Sequence, residues 1–585
     1  MNQESSSPSD MQNSRLAADR QLLIDAKARG RMATFGAWIR LSGPGWLQGA
    51  ITLGGNSLAG SLYLGVLAGF SLMWLQPLAM IMGVIMLSAI GYVVLSTGER
   101  PFVSINKHVN PVLGWGWAIA TLMANLVWTM PQFSLATAAM RQNLAPGLVG
   151  AESGVSDTTG VLMCIAALFI VATIIVWFYD SGGWGIKLFE ILLKVMVAAI
   201  VLCFFGVVLT MSWRGVIDWP SVFAGYIPDL SLLTQPAPSI RDAIEATGQY
   251  ADHWTGIVLS QQRDVMVTAA ATAVGINMTF LMPYSMLAKG WDKTFRGLAI
   301  FDLATGLFIP FMLATSCVVI ASATQFHHQP AAGVLGETDA NGKMVTPAPN
   351  AMRGYLGLVD GRLAAEIDGY AALSDTEKQA LRDKLPTEEK RMAAMLVKRD
   401  AFDLAQALEP LTGKGVAQYL FGFGVVGMAL STIIILMLIN GFVFCEMLGV
   451  PARGWPHRIG ALLAVCTGAT GPFLFAGQAR FWLSVPTSVF GMMLLPIAYI
   501  TFFALLNQRK LLGDAMPRGF KRLLWNVLTL AAVSLATFGA AWSIWSRTQL
   551  IPGTQIQVRW VAIGFILALT VLGLIIHVRR KARAA

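Results

Sequence analysis

The stretch Leu41-Ser42-Gly43-Pro44-Gly45-Trp46, followed by Thr52-Leu53-Gly54-Gly55-Asn56 and helical again through Tyr63, decides how this chain is read. It is an apolar segment long enough to cross a bilayer, interrupted in its middle by two glycines and an asparagine. Glycine holds helical geometry weakly, so the span is predicted to unwind at Gly54-Gly55. Unwound backbone at membrane depth is tolerated only where it lines a cavity or packs against protein. The break is therefore the first candidate for a binding site.

The rest of the chain fits a membrane setting. Of 585 residues, 55% are hydrophobic and 13% charged, against about 25% charged in soluble domains. Mean hydropathy is +0.61. Apolar stretches of roughly 20 residues recur, which predicts an all-α polytopic membrane protein. Spans are expected at 42–67, 70–95, 111–140, 160–179, 186–211, 266–288, 298–323, 416–446, 458–476, 481–506, 523–545 and 557–577. Residues 1–40 are polar and mixed in charge. They lack an apolar core before a small-residue cleavage site, so they read as a cytoplasmic tail rather than a signal peptide.

Basic residues set the expected orientation. Arg100, Lys107, Lys187, Lys289, Lys293, Arg296, Arg453, Arg458, Arg509, Lys510, Arg518, Lys521 and Arg522 fall in loops on the side of the N-terminus. The short opposite loops hold only Arg141, Arg480, Arg547 and Arg559, and the basic tail 578–585 returns to the first side. Both ends are thus expected in the cytoplasm, with the chain in a bacterial inner membrane. The net charge of +10 is spread over short loops, which argues against nucleic acid as a partner. Cys164, Cys203, Cys317, Cys445 and Cys466 have no metal-type spacing and read as small core residues.

Spans 1–7 fill 41–323 and spans 8–12 fill 416–577, with an extracytoplasmic helical insert at 324–415 whose protein partner is unknown. Ser374-Asp375-Thr376-Glu377 matches a capping box, and Pro386 opens a second expected helix through about Leu408. Asp339-Ala340-Asn341-Gly342 reads as a turn, since the later ligands of a calcium loop are missing. Residues 212–265 are expected to form an irregular outer loop with one short helix.

In order along the chain, several motifs resemble the Nramp (natural resistance-associated macrophage protein) family of divalent-metal transporters. They are Gly43-Pro44-Gly45, Thr97-Gly98-Glu99-Arg100, Lys187-Leu188-Phe189-Glu190, Leu420-Phe421-Gly422, Ser431-Thr432 and Cys445-Glu446-Met447. The run Leu495-Pro496-Ile497 through Arg509-Lys510-Leu511-Leu512-Gly513-Asp514 is the strongest. The resemblance covers spans 1–10 and implies a LeuT-type fold: two inverted five-helix repeats with spans 1 and 6 broken, plus two extra C-terminal helices.

The chain also departs from that pattern. The family's metal site uses Asp-Pro-Gly-Asn in span 1, where this chain has Leu53-Gly54-Gly55-Asn56. The family's Met-Pro-His of span 6 falls within Gly275–Tyr284, where either Met278 or Met282 matches the methionine and the histidine is lost. A ligand glutamine of span 10 falls near Leu483, with Ser484 and Thr487 beside it. The acidic pair that serves proton transfer in span 3 falls on Thr129 and Gln132. Glu99, Asp180, Glu190, Asp302 and Glu446 lie at span ends, and no carboxylate is expected near the centre of any span. Proton relays through membranes need interior Asp, Glu or His, so family-type proton coupling is not expected.

Neutral ligands remain: Thr52, the Leu53 carbonyl, the Asn56 amide, Asn277, Thr279, and Met278 or Met282. They suit a cation that keeps most of its water, as magnesium does. The reading is a divalent-cation transporter, magnesium or manganese first, working by alternating access, with the breaks at Gly54-Gly55 and near Met278–Pro283 as the moving contacts. Gln132, Thr129, Tyr284 and Ser484 are pathway or gate candidates. Two alternatives stand beside it: a LeuT-type carrier of a small neutral or zwitterionic solute, and a non-transporting sensor with a partner-binding cap. No cofactor is expected. No nucleophile–base set, zinc spacing or phosphate loop points to an enzyme.

Overall fold

A computed structural model describes residues 8–584 except 151, 181–182, 339–341, 400, 475–483, 549 and 551–553. The Asp339–Asn341 part of the expected turn, Arg480 and Leu483 lie outside the described residues. Two helices precede the first span, α1 (Pro8–Arg29) and α2 (Arg31–Leu41), so the expected polar tail is helical. Among the described residues, ten helices are long and apolar enough to cross a bilayer, and a bent pair makes an eleventh span. The ninth span expected from sequence is Trp455–Leu474, outside that count. The chain is a multi-pass membrane protein.

The bent pair is span 1: half-helix 1a (Pro44–Thr52) meets half-helix 1b (Gly55–Ala68) at 53°. Leu53 and the extended Gly54 (φ −102°, ψ 176°) form the break. The two glycines are needed for space. A Cβ on Gly54 would lie 2.3 Å from Thr432 Oγ1, and one on Gly55 would lie 2.5 Å from Leu135 Cδ2. Pro44 occupies the first turn of 1a, where a missing N–H costs nothing.

Span 6 is also broken, but not where its Met-Pro pair suggested. Half-helix 6a runs Ala251–Ala273 and 6b runs Ile276–Ala288, separated by extended Val274 and Gly275. Met278, Met282 and Pro283 all sit inside 6b. Half-helix 6a starts well before the expected 266, so much of the supposed outer loop is helix. It carries Asp264 about 12 Å, eight residues at helical rise, from the break-side Thr272. Asp264 pairs with Arg547 at the end of span 11 (3.4 Å).

Span 3 (Pro111–Ala139) is capped by Asn110, whose side chain accepts from Val112 N at 2.9 Å. It packs with span 8 (Phe421–Leu448) and span 9 as one bundle. Half-helix 1b packs on 6a, on span 10 (Ser484–Leu506) and on span 7, which runs Arg296–Leu303 and Ile309–Phe326 around a π-type turn. Four of the cysteines are buried as expected; Cys466 is exposed.

The insert forms Pro349–Glu366, Asp375–Lys384, Thr387–Met395 and Ala401–Thr412. The capping box forms, but the helix after Pro386 stops at Met395 instead of reaching Leu408. An ion pair buried at 2% and 0% exposure, Arg362–Glu389 (2.7 Å), joins two insert helices. Trp254 of 6a donates to Glu389 at 3.1 Å, and Arg362 stacks on Tyr250. The insert is thereby fastened to the first turn of 6a.

Candidate substrate site

The two breaks meet around a cavity of about 30 Å³. Thr52, Gly54, Asn56 and Ser57 line it from span 1, and Thr272, Gly275, Asn277 and Met278 from span 6. Gln132 and Trp128 of span 3 and Thr432 of span 8 close it. No carboxylate is among the lining residues. No group of three or more His, Cys, Asp or Glu capable of holding a metal occurs among the described residues.

Of the residues singled out from sequence, Thr52, Asn56, Asn277, Met278 and Gln132 come together here. Leu53, Met282, Thr129, Tyr284 and Ser484 do not line the cavity. Met282 borders a separate, smaller cavity with Tyr92 and Arg296, so between the two methionines Met278 is the one at the breaks. Thr129 donates back to its own helix at Asn125 O (2.6 Å). Tyr284 lies two turns further along 6b, stacked on Phe280 at 4.5 Å and facing Phe442. Ser484 is buried at the start of span 10. Thr279 accepts from Trp117 Nε1 at 3.0 Å, which occupies its hydroxyl in packing spans 3 and 6.

The hydrogen bonds at the site follow one rule. At each half-helix N-terminus, which carries about +0.5 charge, one amide donates to a side-chain oxygen. Gly55 N of 1b donates to Gln132 Oε1 (2.9 Å), and Met278 N of 6b donates to Asn277 Oδ1 (2.8 Å). Gln132 Nε2 then donates to Asn56 Oδ1 (2.9 Å), so one side chain pins both residues after the break. Thr52 ties the two breaks together, its one hydroxyl hydrogen within reach of Ala273 O (3.2 Å) and Met278 Sδ (3.0 Å). On span 8, Ser431 and Thr432 reach the last carbonyls of 1a at Ala50 and Ile51. Asn277 Nδ2 is a buried donor with no partner.

Sequence reasoning missed Trp128. Its ring fits where a Cβ on Gly275 or on Gly491 would stand (2.4 and 2.0 Å), and its Nε1 donates to Thr487 O at 2.7 Å. Sequence reasoning also took Asp302 for an interface acid. It is fully buried and accepts from Ser42 Oγ (2.6 Å), Gly43 N (3.0 Å) and Gly45 N (2.6 Å), which makes it the anionic cap of half-helix 1a. Beside it Lys194 donates to Ser42 O, and Lys289 pairs with Glu190 at 2.9 Å.

Two broken helices at equivalent places in successive repeats define a LeuT-type transporter fold. The comparison with solved structures agrees. Crystal structures of mutants of a manganese transporter from Eremococcus coleocola match with TM-score 0.59 over 93% of this chain and 96% of theirs, at 14% identity. The same transporter in complex with an aromatic bis-isothiourea substituted compound matches equally well at 13% identity. The family described as natural resistance-associated macrophage protein-like matches residues 390–545. That stretch takes in spans 8–11 and the motifs from Leu420 to Asp514, and it bears out the resemblance read from them. No curated relative matches the chain by sequence.

Proposed function

We propose that this protein moves divalent cations across a bacterial inner membrane by alternating access, without the proton coupling implied by the family resemblance, and that both its ends are cytoplasmic. The observation that carries the reading is the occupation of both half-helix N-termini by Gln132 and Asn277. A carrier of amino-acid type aims such amides at a carboxylate; here one amide of each half-helix already has a side-chain acceptor. What the breaks leave for cargo is the carbonyl-rich, partially negative ends of 1a and 6a, with Asn56, Thr52 and Met278 beside them. These are neutral or soft ligands, suited to weak binding of a cation that retains water. The cavity of about 30 Å³ has room for only a few water molecules. A hydrated ion enters only when spans 1, 2, 6 and 7 rock against the remainder, with Tyr284 and Ser484 beyond the cavity as gate residues.

Proteoliposomes loaded with a magnesium- or manganese-sensitive dye test this. Influx of either ion is expected, reduced by Asn56→Ala, with internal pH flat. Absence of signal for both ions from correctly inserted protein overturns the proposal, and acidification overturns the uncoupled mechanism. One observation favours the second reading: Asn277 Nδ2 is an unpartnered donor at the cavity, suited to a carbonyl or carboxylate oxygen of a small organic solute. Saturable amino-acid uptake in the same vesicles, with no ion signal, would select it.

A further inference from the structure

The N-terminal helix α2 has two dissimilar faces. Ala37 is buried and Trp38 packs on Phe301 of span 7 at 5.3 Å, so one face belongs to the protein. The other is apolar and uncovered: Met32 is 84% and Ile39 58% exposed, with exposed Gly36 between them and Phe35 at the margin. At about 100° per residue, Met32, Gly36 and Ile39 fall within roughly 60° of one another. Arg31 and Arg40, both exposed, stand on opposite flanks of that stripe. Only Ser42 and Gly43 separate α2 from half-helix 1a, so α2 is held at the membrane edge by chain connectivity.

Charge follows the same plan. Lys27, Arg29, Arg31 and Arg40 surround the stripe, and between Asp25 and Glu99 the chain has no acidic residue. Acids on the neighbouring elements are engaged elsewhere: Asp25 of α1 accepts from Gln21, Asp292 pairs with Arg20 of α1, and Asp302 caps 1a. An apolar stripe flanked by arginines is the pattern of a helix lying in the headgroup plane, its apolar side in the acyl boundary and its cations at lipid phosphates. The two arginines sit nine residues apart, about 13 Å along the axis, and both reach headgroups only if α2 runs along the membrane plane.

We infer that α2 is an interfacial helix that binds anionic phospholipid headgroups through Arg31 and Arg40, with Lys27 and Arg29 adding to the attraction. It is joined directly to 1a, so lipid held there steadies the entry to the broken span.

The test uses the full chain carrying Cys466→Ser, with spin labels at Met32→Cys, Ile39→Cys or Lys27→Cys. Vesicles are made of phosphatidylcholine alone or mixed with phosphatidylglycerol. Labels at 32 and 39 should be open to oxygen and shielded from a water-soluble nickel chelate, and the label at 27 the reverse. Retention of phosphatidylglycerol over phosphatidylcholine during purification should fall roughly fivefold for each arginine replaced in Arg31→Gln and Arg40→Gln. Nickel access at 32 and 39 equal to that at 27 overturns the inference. Equal lipid retention by the double variant overturns the headgroup role, and dipolar coupling between labels of two copies assigns the stripe to self-association instead.

Discussion

Gln132→Met tests the site most directly, because one side chain holds the span 1 break from two directions. Methionine keeps nearly the same length and loses both hydrogen bonds. Gly55 N–H then points into a buried region without an acceptor, and Asn56 Oδ1 loses its donor. A buried unsatisfied group costs about 1–3 kcal/mol and an ordinary hydrogen bond about 1 kcal/mol net, so the ordered break loses roughly 2–4 kcal/mol. At about 1.4 kcal/mol per decade, a cargo that requires that break should bind between ~30- and ~1,000-fold more weakly. The assay is KM for ion influx in dye-loaded vesicles, read beside the thermal unfolding midpoint in detergent, which needs no cargo and should fall. Gln132→Glu keeps an acceptor for Gly55 N–H, but it removes the donor to Asn56 Oδ1 and buries a carboxyl group, so its midpoint should fall as well. Wild-type KM together with a wild-type midpoint for Gln132→Met would refute the reasoning.

Further outcomes follow from other contacts. Gly49→Val places a Cβ 2.2 Å from the Gly306 carbonyl, so spans 1a and 7 must part; a loss of ~1–3 kcal/mol should appear as a lower unfolding midpoint and slower flux. Glu389→Gln leaves the buried Arg362 with Glu366 as its remaining carboxylate partner (2.9 Å) and should cost ~1–3 kcal/mol, whereas Arg362→Met with Glu389→Leu should cost less; limited proteolysis of the insert reads both. His327 contacts Val66 O (3.0 Å) and Ser239 Oγ (2.8 Å), and burial pushes its pKa down to about 4. Its neutral form is the folded one, so stability is unaffected above about pH 6.5 and falls between there and pH 4 by up to ~1.4 kcal/mol per unit. The loss should be smaller in His327→Gln, measured as unfolding midpoint against pH.

The span 1 break was legible because two adjacent glycines and an asparagine are a local signal. The span 6 break was misplaced by several residues. Its signal is a lone Gly275, while the more conspicuous Met282-Pro283 is absorbed within 6b. Asn56, Thr52, Asn277 and Gln132 were found by alignment to motifs, and their neighbours were not. Trp128 meets residues near 275, 487 and 491, and Thr432 meets residues near 51 and 54, separations that no pattern within one span records. Asp302 carried the sign of its charge in the sequence but not its partners, which lie about 260 positions earlier. Half-helix 6a was hidden because its outer part, with Asp252, His253, Gln261, Gln262, Arg263 and Asp264, is too polar to read as a span.

The indole of Trp128 touches two glycines on different helices, one at the span 6 break and one in span 10. Positions 128, 275 and 491 therefore form a single steric unit. A larger residue at either glycine is admissible only alongside a smaller one at 128, so substitutions at these three sites should be inherited together across relatives. Divergence at any one of them alone marks a chain whose central chamber has been rebuilt.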